Sequence, residues 1–352
     1  MKVMQETDSR ENLIGSSRQE LEAIVAAIGE PQFRAQQIYA GLYRRRLREW
    51  SDFTDLSHSF RLRLVGRFMI AWPETIKSFQ SADGTRRYLF GVAEGHRIES
   101  VFIPEEKRDT FCISTQVGCA VGCLFCVTGK LPMEHNLTCG EIVGQILALQ
   151  EDRRIDTKRL NIVIMGMGEP LLNYDNVMKA IRLMADPHGM SISPRRITLS
   201  TSGIVPGLER LAQEDLVPNL AISLNATTDE VRNTLIPINR KWNIDSLLHA
   251  CRRFPLEPRR RITFEYVLID GINDTAEDAM RLVRLLKGIK KKVNLIPLNA
   301  DPWLPLKPPS EERVLAFQKI LLEQHVTAYI RRPRGDDIAA ACGMLAGREK
   351  AL

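Results

Sequence analysis

From Thr110 to the C-terminus, short apolar runs alternate with amphipathic stretches in a regular order. A helix over "TCGEIVGQILALQ" precedes a strand over "LNIVIMG", and a helix over "YDNVMKAIRLMA" precedes a strand over "RRITLSTS". A short helix "GLERLAQE", strand "NLAISLN", helix "NIDSLLHACRRF" and strand "RITFEYVLI" come next. Helix "TAEDAMRLVRLLKG", strand "KVNLIPLN", helix "SEERVLAFQKILLEQ" and strand "TAYIRR" complete the series. Apolar strands separated by amphipathic helices predict a parallel sheet built from βα units. About six units are present, fewer than the eight of a closed barrel. An incomplete barrel and a doubly wound sheet both fit, and in either the ligand site lies at the C-terminal ends of the strands.

The segment from Ser16 to Trp72 is patterned differently. "SRQELEAIVAAIG" has a Ser cap with a Glu three residues on, apolar positions at helical spacing and a Gly stop. "FRAQQIYAGLYRRRL" and "SFRLRLVGRFM" read as two more helices, so residues 1–75 are expected to form a small helical domain. "SADGTRRYLF" carries turn chemistry, and the β-rich runs "RRYLFGV" and "HRIESVFIP" predict a hairpin, a linker over 76–104. Residues 105–352 then hold the βα units and a C-terminal cysteine-bearing segment. "DPWLPLKPPSE" reads as a proline-rich loop.

Composition narrows the class. Hydrophobic content of 44% and charged content of 26% are those of a folded globular chain. No apolar run approaches the roughly 18 residues that span a bilayer. "MKVMQETDSRENLIG" lacks an apolar signal core, so a cytoplasmic protein is expected, with no membrane partner. The net charge is +6, and the basic residues cluster: "RRRLR" from Arg44, "PRRRI" around Arg260, "KKK" from Lys290 and "RRPR" from Arg331. Clusters of this kind suit a phosphate backbone, and the basic N-terminal helices read as an accessory RNA-binding domain. Seven cysteines, an odd count in a reducing compartment, exclude a disulfide framework and leave metal binding or thiol chemistry.

"CAVGCLFC" supplies the spacing. It places Cys119, Cys123 and Cys126 at offsets of four and three after the first barrel-like strand, with Gly118 and Gly122 allowing a tight loop. Three soft thiolates select zinc, copper(I) or an iron–sulfur cluster. Zinc ordinarily takes four ligands, often as C-x-x-C pairs, and no fourth Cys or His is near in sequence. A four-iron cluster on three ligands keeps one iron open for substrate or cofactor. This spacing in a βα chain resembles the radical S-adenosylmethionine (SAM) superfamily, which implies a partial (βα)6 TIM-like barrel, a 4Fe-4S cluster and SAM chelated at the open iron. "MGMGEP" is similar to that superfamily's cofactor-binding turn, with Gly168 for close approach and Glu169 to accept from an amine. Small polar residues at three further strand ends, Ser200 in "LSTSG", Ser223, Leu224 and Asn225 in "ISLNA", and Asn299 in "IPLNA", suit ribose and carboxylate groups.

The resemblance is closer still. "QVGCAVGCLFC", "MGMGEPLLNYDNV", "TLSTSGIVPGL", "AISLNA", "IPIN", "RGDDIAAACGML" and the N-terminal "GEPQFRAQQIY" together resemble the RlmN family of dual-specificity RNA methyltransferases, in order and over most of the chain. That resemblance implies methylation of adenine C2 in 23S ribosomal RNA and transfer RNA, with two SAM molecules per turnover. Carbon 2 of adenine is electrophilic, so a methyl-cation donor does not alkylate it directly. In the family a cysteine, matched by Cys342, is methylated first. A 5′-deoxyadenosyl radical then takes a hydrogen atom from its methyl group, and the carbon radical adds to adenine. A second thiol, matched by Cys112, takes part in proton removal and releases product through a disulfide bond with Cys342. Glu99 in "RIESVFIP" matches a proton acceptor. The resemblance also implies an electron donor such as flavodoxin, and a monomer is expected. Where many relatives read Ser-Leu-His, this chain has Asn225, which hydrogen-bonds but does not titrate near neutrality. Cys139 and Cys251 match no functional position. The alternatives are a sister radical methyltransferase acting at adenine C8, a zinc-stabilised RNA-binding protein without catalysis, and a radical enzyme acting on a small molecule.

Overall fold

The first and third N-terminal helices begin at serine caps. In the computed structural model, which describes residues 10–155 and 157–347, strand β1 (Glu11–Asn12) leads to α1 (Arg18–Ala27). Residues 1–9 and 348–352, which hold most of the N-terminal stretch read as lacking a signal and the two ends of the expected domains, lie outside the described residues, as does Asp156. The Ser17 side chain accepts from the Glu20 N–H at 3.2 Å while Glu20 accepts from the Ser17 N–H at 2.7 Å, a reciprocal capping box. Helix α2 (Phe33–Ala40) widens into a π turn over Gly41–Arg45. A Cβ on Gly41 would stand 2.1 Å from the Phe53 ring, so only glycine lets this turn close. Helix α3 (His58–Val65) and β2 (Phe68–Met69), parallel to β1, end the block.

The expected hairpin linker is in fact part of the main sheet. Strands β3 (Glu74–Gln80), β4 (Arg86–Gly91) and β5 (Arg97–Pro104) pair antiparallel, and β5 pairs with β6 (Asp109–Cys112). Hydrogen bonding runs without a break from the hairpin into the barrel, and β5 is covered on both faces, with residues 98–102 all buried. Short strands β7 (Gln116–Val117) and β8 (His135–Asn136) bracket the cysteine loop. The alternating units then follow as α4 (Cys139–Arg153), β9 (Leu160–Ile164), α5 (Tyr174–Ala185), β10 (Ile197–Thr201), α6 (Val205–Leu211) and β11 (Asn219–Ser223). They continue as α7 (Asp229–Leu235), α8 (Ile244–Arg253), β12 (Ile262–Leu268), α9 (Ala276–Leu285), β13 (Lys291–Pro297), α10 (Glu311–Glu323) and β14 (Ala328–Ile330).

Ten strands form one open sheet in the order β14-β13-β12-β11-β10-β9-β6-β5-β4-β3. Parallel pairing holds from β6 through β14, so six crossovers join the parallel strands, as the alternation predicts, and the barrel does not close. Helix α7 is absent from the sequence reading because "DEVRNTL" is too short to display a helical period; its start is set by the Thr228 hydroxyl accepting from the Val231 N–H. The N-terminal block shares its apolar core with the barrel. It seats on α4 and α5: a Cβ on Gly15 would meet Gly140 N at 2.5 Å, and the Tyr39 hydroxyl donates to Asp186 at 3.0 Å.

Candidate active site

A closed βα barrel fills its interior with branched apolar side chains. Here polar side chains enter the lumen. Thr110 and Cys112 on β6, Ser200 on β10, Glu265 on β12 and Asn294 on β13 line cavities instead of packing. Two connected spaces result. A chamber of about 180 Å³ lies at the C-terminal strand ends, and a groove of about 720 Å³ runs down the lumen.

The chamber is where the cysteine trio lies. Cys119, Cys123 and Cys126 all line it. Their loop is held by the Cys126 N–H donating to Cys123 O at 3.2 Å and by the Leu124 N–H donating to Leu235 O at 2.9 Å, at the end of α7. Gly118, at φ +74°, packs so tightly on the Pro132 carbonyl that a Cβ would stand 1.8 Å from its oxygen. Val121, Leu235, Ile236, Ile269 and Leu298 form a separate apolar seat beneath the loop. That seat desolvates the thiols and pushes all three up from their ordinary values, Cys119 to about 12. Thiolate is the ligand form, so a cationic centre must supply the compensating charge. Among the described residues no three His, Cys, Asp or Glu side chains close around a single ion. The trio rims a chamber, an arrangement that fits a polynuclear cluster better than zinc, whose sulfurs at bonds of about 2.3 Å crowd together.

The glycine-rich turn of Gly168 and Glu169 follows β9. Gly168 has φ +104°, and a Cβ there would meet Gln116 Cβ at 2.6 Å. Gln116 fixes the next residue by accepting from the Glu169 N–H at 2.8 Å. The buried Glu169 carboxylate accepts from the Ser202 N–H at 2.7 Å, the Ser202 hydroxyl at 2.8 Å and the Leu171 N–H at 3.1 Å. Burial pushes its carboxyl above the usual range, against the pull of these donors. Lone pairs remain for an amine facing the chamber.

Ser200, Ser223, Asn225 and Asn299 line the same chamber, as expected. Asn225 stands at φ +56°, a left-handed conformation that asparagine tolerates. Its Oδ1 accepts from the Val267 N–H at 2.8 Å, and its buried Nδ2 has no partner among the described residues. An orphaned donor beside the trio fits the carboxylate of an amino-acid cofactor. Leu224 is not brought to the chamber: its side chain is in the core, its N–H donates to Glu265 O at 3.0 Å, and its carbonyl accepts from Arg232 at 3.0 Å.

Two residues missed in the sequence hold this rim together. Ser202 binds Glu169, and the fully buried Arg232 on α7 donates to Ser202 O at 2.6 Å, Ser223 O at 3.1 Å, Leu224 O at 3.0 Å and Asn239 at 2.8 Å. An arginine in a short unrecognised helix gives no local signal of such a role.

Cys342 arrives on the C-terminal strap. Arg334 pairs with Asp83 at 2.9 Å, Val127 N–H donates to Gly343 O at 2.7 Å, and Asn299 Nδ2 donates to Cys342 O at 3.0 Å. Cys342 is thereby placed in the walls of both chamber and groove, with its residue exposed to that space. Cys112 is buried in the groove wall. Both are free thiols, so the disulfide bond expected from the resemblance is not a feature of this structure. Desolvation within this enclosed space pushes both thiols up, although the Cys342 residue as a whole is exposed to it, and it is the thiolate that forms disulfides. Glu99 reaches neither cavity. It is fully buried against Arg87, and its Oε2 accepts from the Ala346 N–H at 2.9 Å.

A relative from Syntrophobacter fumaroxidans, "Dual-specificity RNA methyltransferase RlmN", is 51% identical over 93% of this chain and 95% of its own. The chain belongs to the RlmN family. A second member, from Geobacter sulfurreducens, is 48% identical over 98% of this chain and 94% of its own. Residues 113–283 match the Radical SAM superfamily, and residues 11–70 match the Ribosomal RNA large subunit methyltransferase N-terminal domain. The crystal structure of a radical SAM methyltransferase from Sphaerobacter thermophilus superposes with a TM-score of 0.92 at 44% identity, covering 96% of this chain and 100% of that one. RlmN membership accounts for both the open barrel and the block that seats on it.

Proposed function

We propose that this protein methylates carbon 2 of adenine in 23S ribosomal RNA and transfer RNA, with Cys342 as the methyl carrier. The observation that carries the reading is the position of Cys342, shared between the walls of the trio's chamber and the polar lumen. When bound, the 4Fe-4S cluster and SAM supply the methyl group and a carbon radical able to abstract hydrogen. Cys119, Cys123 and Cys126 hold the cluster; Glu169, Ser200, Ser223, Asn225 and Asn299 surround SAM, and Gly168 lets the backbone approach it. Leu224 serves as spacer between Ser223 and Asn225. Asn299, by also holding the Cys342 carbonyl, ties the cofactor site to the carrier thiol.

With SAM bound, Cys342 would be the residue that accepts a methyl group and later yields a hydrogen atom from it. Cys112, facing it across the groove, assists proton removal from the base and closes a transient disulfide as product leaves. Glu99, matched to a proton acceptor, is committed in this state to Arg87 and the Ala346 N–H, so an acceptor role requires the strap to let go. Arg195, Arg196, Lys292, Arg331 and Arg332 line the lumen and suit RNA phosphates, with residues 1–75 as the accessory RNA-binding domain. An unstacked adenosine is required, since carbon 2 is out of reach inside a helix. An electron donor such as flavodoxin supplies the reducing equivalent, and the protein acts as a monomer in the cytoplasm; no helix among the described residues is long and apolar enough to cross a membrane.

Nucleoside mass spectrometry of RNA treated with the reconstituted enzyme tests the reading: 2-methyladenosine is expected, and 8-methyladenosine as sole product would sink it. Cys342→Ala should abolish product. Cys112→Ala should trap a protein–RNA adduct visible as a nuclease-sensitive shift on a denaturing gel. Stoichiometric zinc without iron or sulfide in anaerobically purified protein would favour the non-catalytic alternative.

A further inference from the structure

We propose that Glu265 accepts the proton that the Cys342 thiol loses when it takes up its methyl group. The inference rests on the reading of Cys342 as methyl carrier and supplies a step that reading leaves open. Attack of a thiol on a sulfonium methyl group forms a carbon–sulfur bond at Cys342 and breaks the methyl–sulfonium bond, whose electron pair stays on the departing thioether. The thiol proton must go to a base. With Glu265 as that base, Cys342–SH, the sulfonium and a carboxylate become Cys342–S–CH3, a thioether and a carboxylic acid.

Placement singles out Glu265. It sits on β12, paired in register with Ser223 of the cofactor rim on one side and Asn294 on the other. Like Cys342, it lines both the chamber and the groove. Two other carboxylates border these spaces, and both are engaged: Glu169 with Ser202 and Leu171, and Glu105 with Arg108 at 2.6 Å. Among the described residues no histidine lines either space. Glu99 is occupied by Arg87 and the strap. Glu265 is held by one side-chain hydrogen bond, from Asn294 Nδ2 to its Oε1 at 2.9 Å, which orients the carboxyl without saturating it.

The surrounding charges agree. The cations facing Glu265 include Arg331 beyond β14 and Lys292 of β13; Cys342 also faces Arg331, with Cys126 across the chamber. Burial raises the Glu265 carboxyl above its usual range, which makes it a stronger proton acceptor than an ordinary carboxylate. Before transfer, desolvation first and the Glu265 charge second disfavour the Cys342 thiolate, which protects the carrier from adventitious alkylation.

Two rates on the same protein test this. Holoenzyme with unmethylated Cys342 is given CD3-labelled SAM without reductant, and the label on the Cys342 peptide is followed by mass spectrometry. Separately, alkylation of Cys342 by iodoacetamide is measured without SAM. Glu265→Gln, which keeps the shape and the Asn294 contact, should slow CD3 uptake roughly a hundredfold or more, the scale of general-base catalysis. The same variant should accelerate iodoacetamide alkylation several-fold, because removing the carboxylate charge favours thiolate. Opposite shifts in the two rates support the proposal, with Glu265→Asp recovering part of the CD3 rate. Unchanged CD3 uptake overturns it. A fall in both rates together also overturns it, since that is the mark of a displaced Cys342. No label on Cys342 in the wild type overturns the carrier reading, and this inference with it.

Discussion

Removing the Arg232 guanidinium should loosen the cofactor rim more than it harms the rest of the fold. In Arg232→Met the stem remains and the donors vanish, leaving Ser202 O, Ser223 O, Leu224 O and the Asn239 side chain without them. A buried acceptor stripped of its partner costs about 1–3 kcal/mol, so the four together cost about 8 kcal/mol at mid-range. Against this stands relief from burying the charge. Desolvation lowers the Arg232 pKa to about 10, so the guanidinium stays protonated at neutral pH, and its removal returns about 3 kcal/mol at ~1.4 kcal/mol per unit. The net loss is about 5 kcal/mol, at the upper end of the cost of breaking other buried charged networks. For a chain of this size that corresponds to a fall of roughly 5–10 °C in Tm, measured by circular dichroism. SAM affinity of the reconstituted protein, by isothermal titration, should fall at least tenfold, because Ser202 and Ser223 both lose their backbone anchor. A Tm within about 2 °C of wild type, with unchanged affinity, would refute the claim that Arg232 organises the strand ends.

Three further outcomes are expected. Gly168→Ala should fold yet lose SAM binding by tenfold or more in the same titration, since it combines φ +104° with a 2.6 Å clash on Gln116. The Asp83 carboxyl lies below its usual value: burial opposes this, but hydrogen bonds from Thr85, Ser81 and the Gly335 N–H prevail. The tie it makes to the strap is therefore present above the unfolded carboxyl value and lost as pH falls through the lower folded one. Hydrogen exchange over residues 331–347 should rise across that acid window in wild type, and in Asp83→Asn it should already be high at neutral pH. RNA binding should weaken about a thousandfold between 50 and 200 mM salt if about six phosphates are neutralised; a flat salt response in a filter-binding assay would remove the basic lumen from the interface.

The parts of the site legible in the sequence are those whose geometry is local. Cys119, Cys123 and Cys126 fall within one loop, and Gly168 and Glu169 within one turn, so spacing alone nearly specifies them. The helices and strands were legible for a similar reason: α5 and α9 bury stripes at helical period, and β9 through β13 are apolar runs long enough to stand out. What escaped depends on partners distant in sequence. Ser202 looked no different from Ser200 until Glu169, 33 residues away, was seen to accept from it. Glu99 is singled out in the sequence only through the family resemblance, and its burial against Arg87 is what shows the charge held inside. The hairpin read as a linker because two antiparallel strands look alike whether they stand alone or continue a sheet.

That last difference bears on how the Cys342 thiol is held. The β3–β4 turn supplies Asp83, which fixes Arg334 and Gly335 ahead of Cys342. Strand β5 supplies Glu99, which fixes Ala346 behind it. Thr128, just past the trio, donates to Leu345 O at 2.5 Å. The strap is thus pinned on both sides of Cys342 by the hairpin extension and in between by the cysteine loop and Asn299. A strap pinned only by the barrel would leave its thiol free to swing, and each ordered side chain would have to offset its own entropy loss. By extending the sheet three strands past β6, the chain gives the strap a rigid second wall. The thiol is placed by backbone contacts on either side, so its own side chain stays free to react.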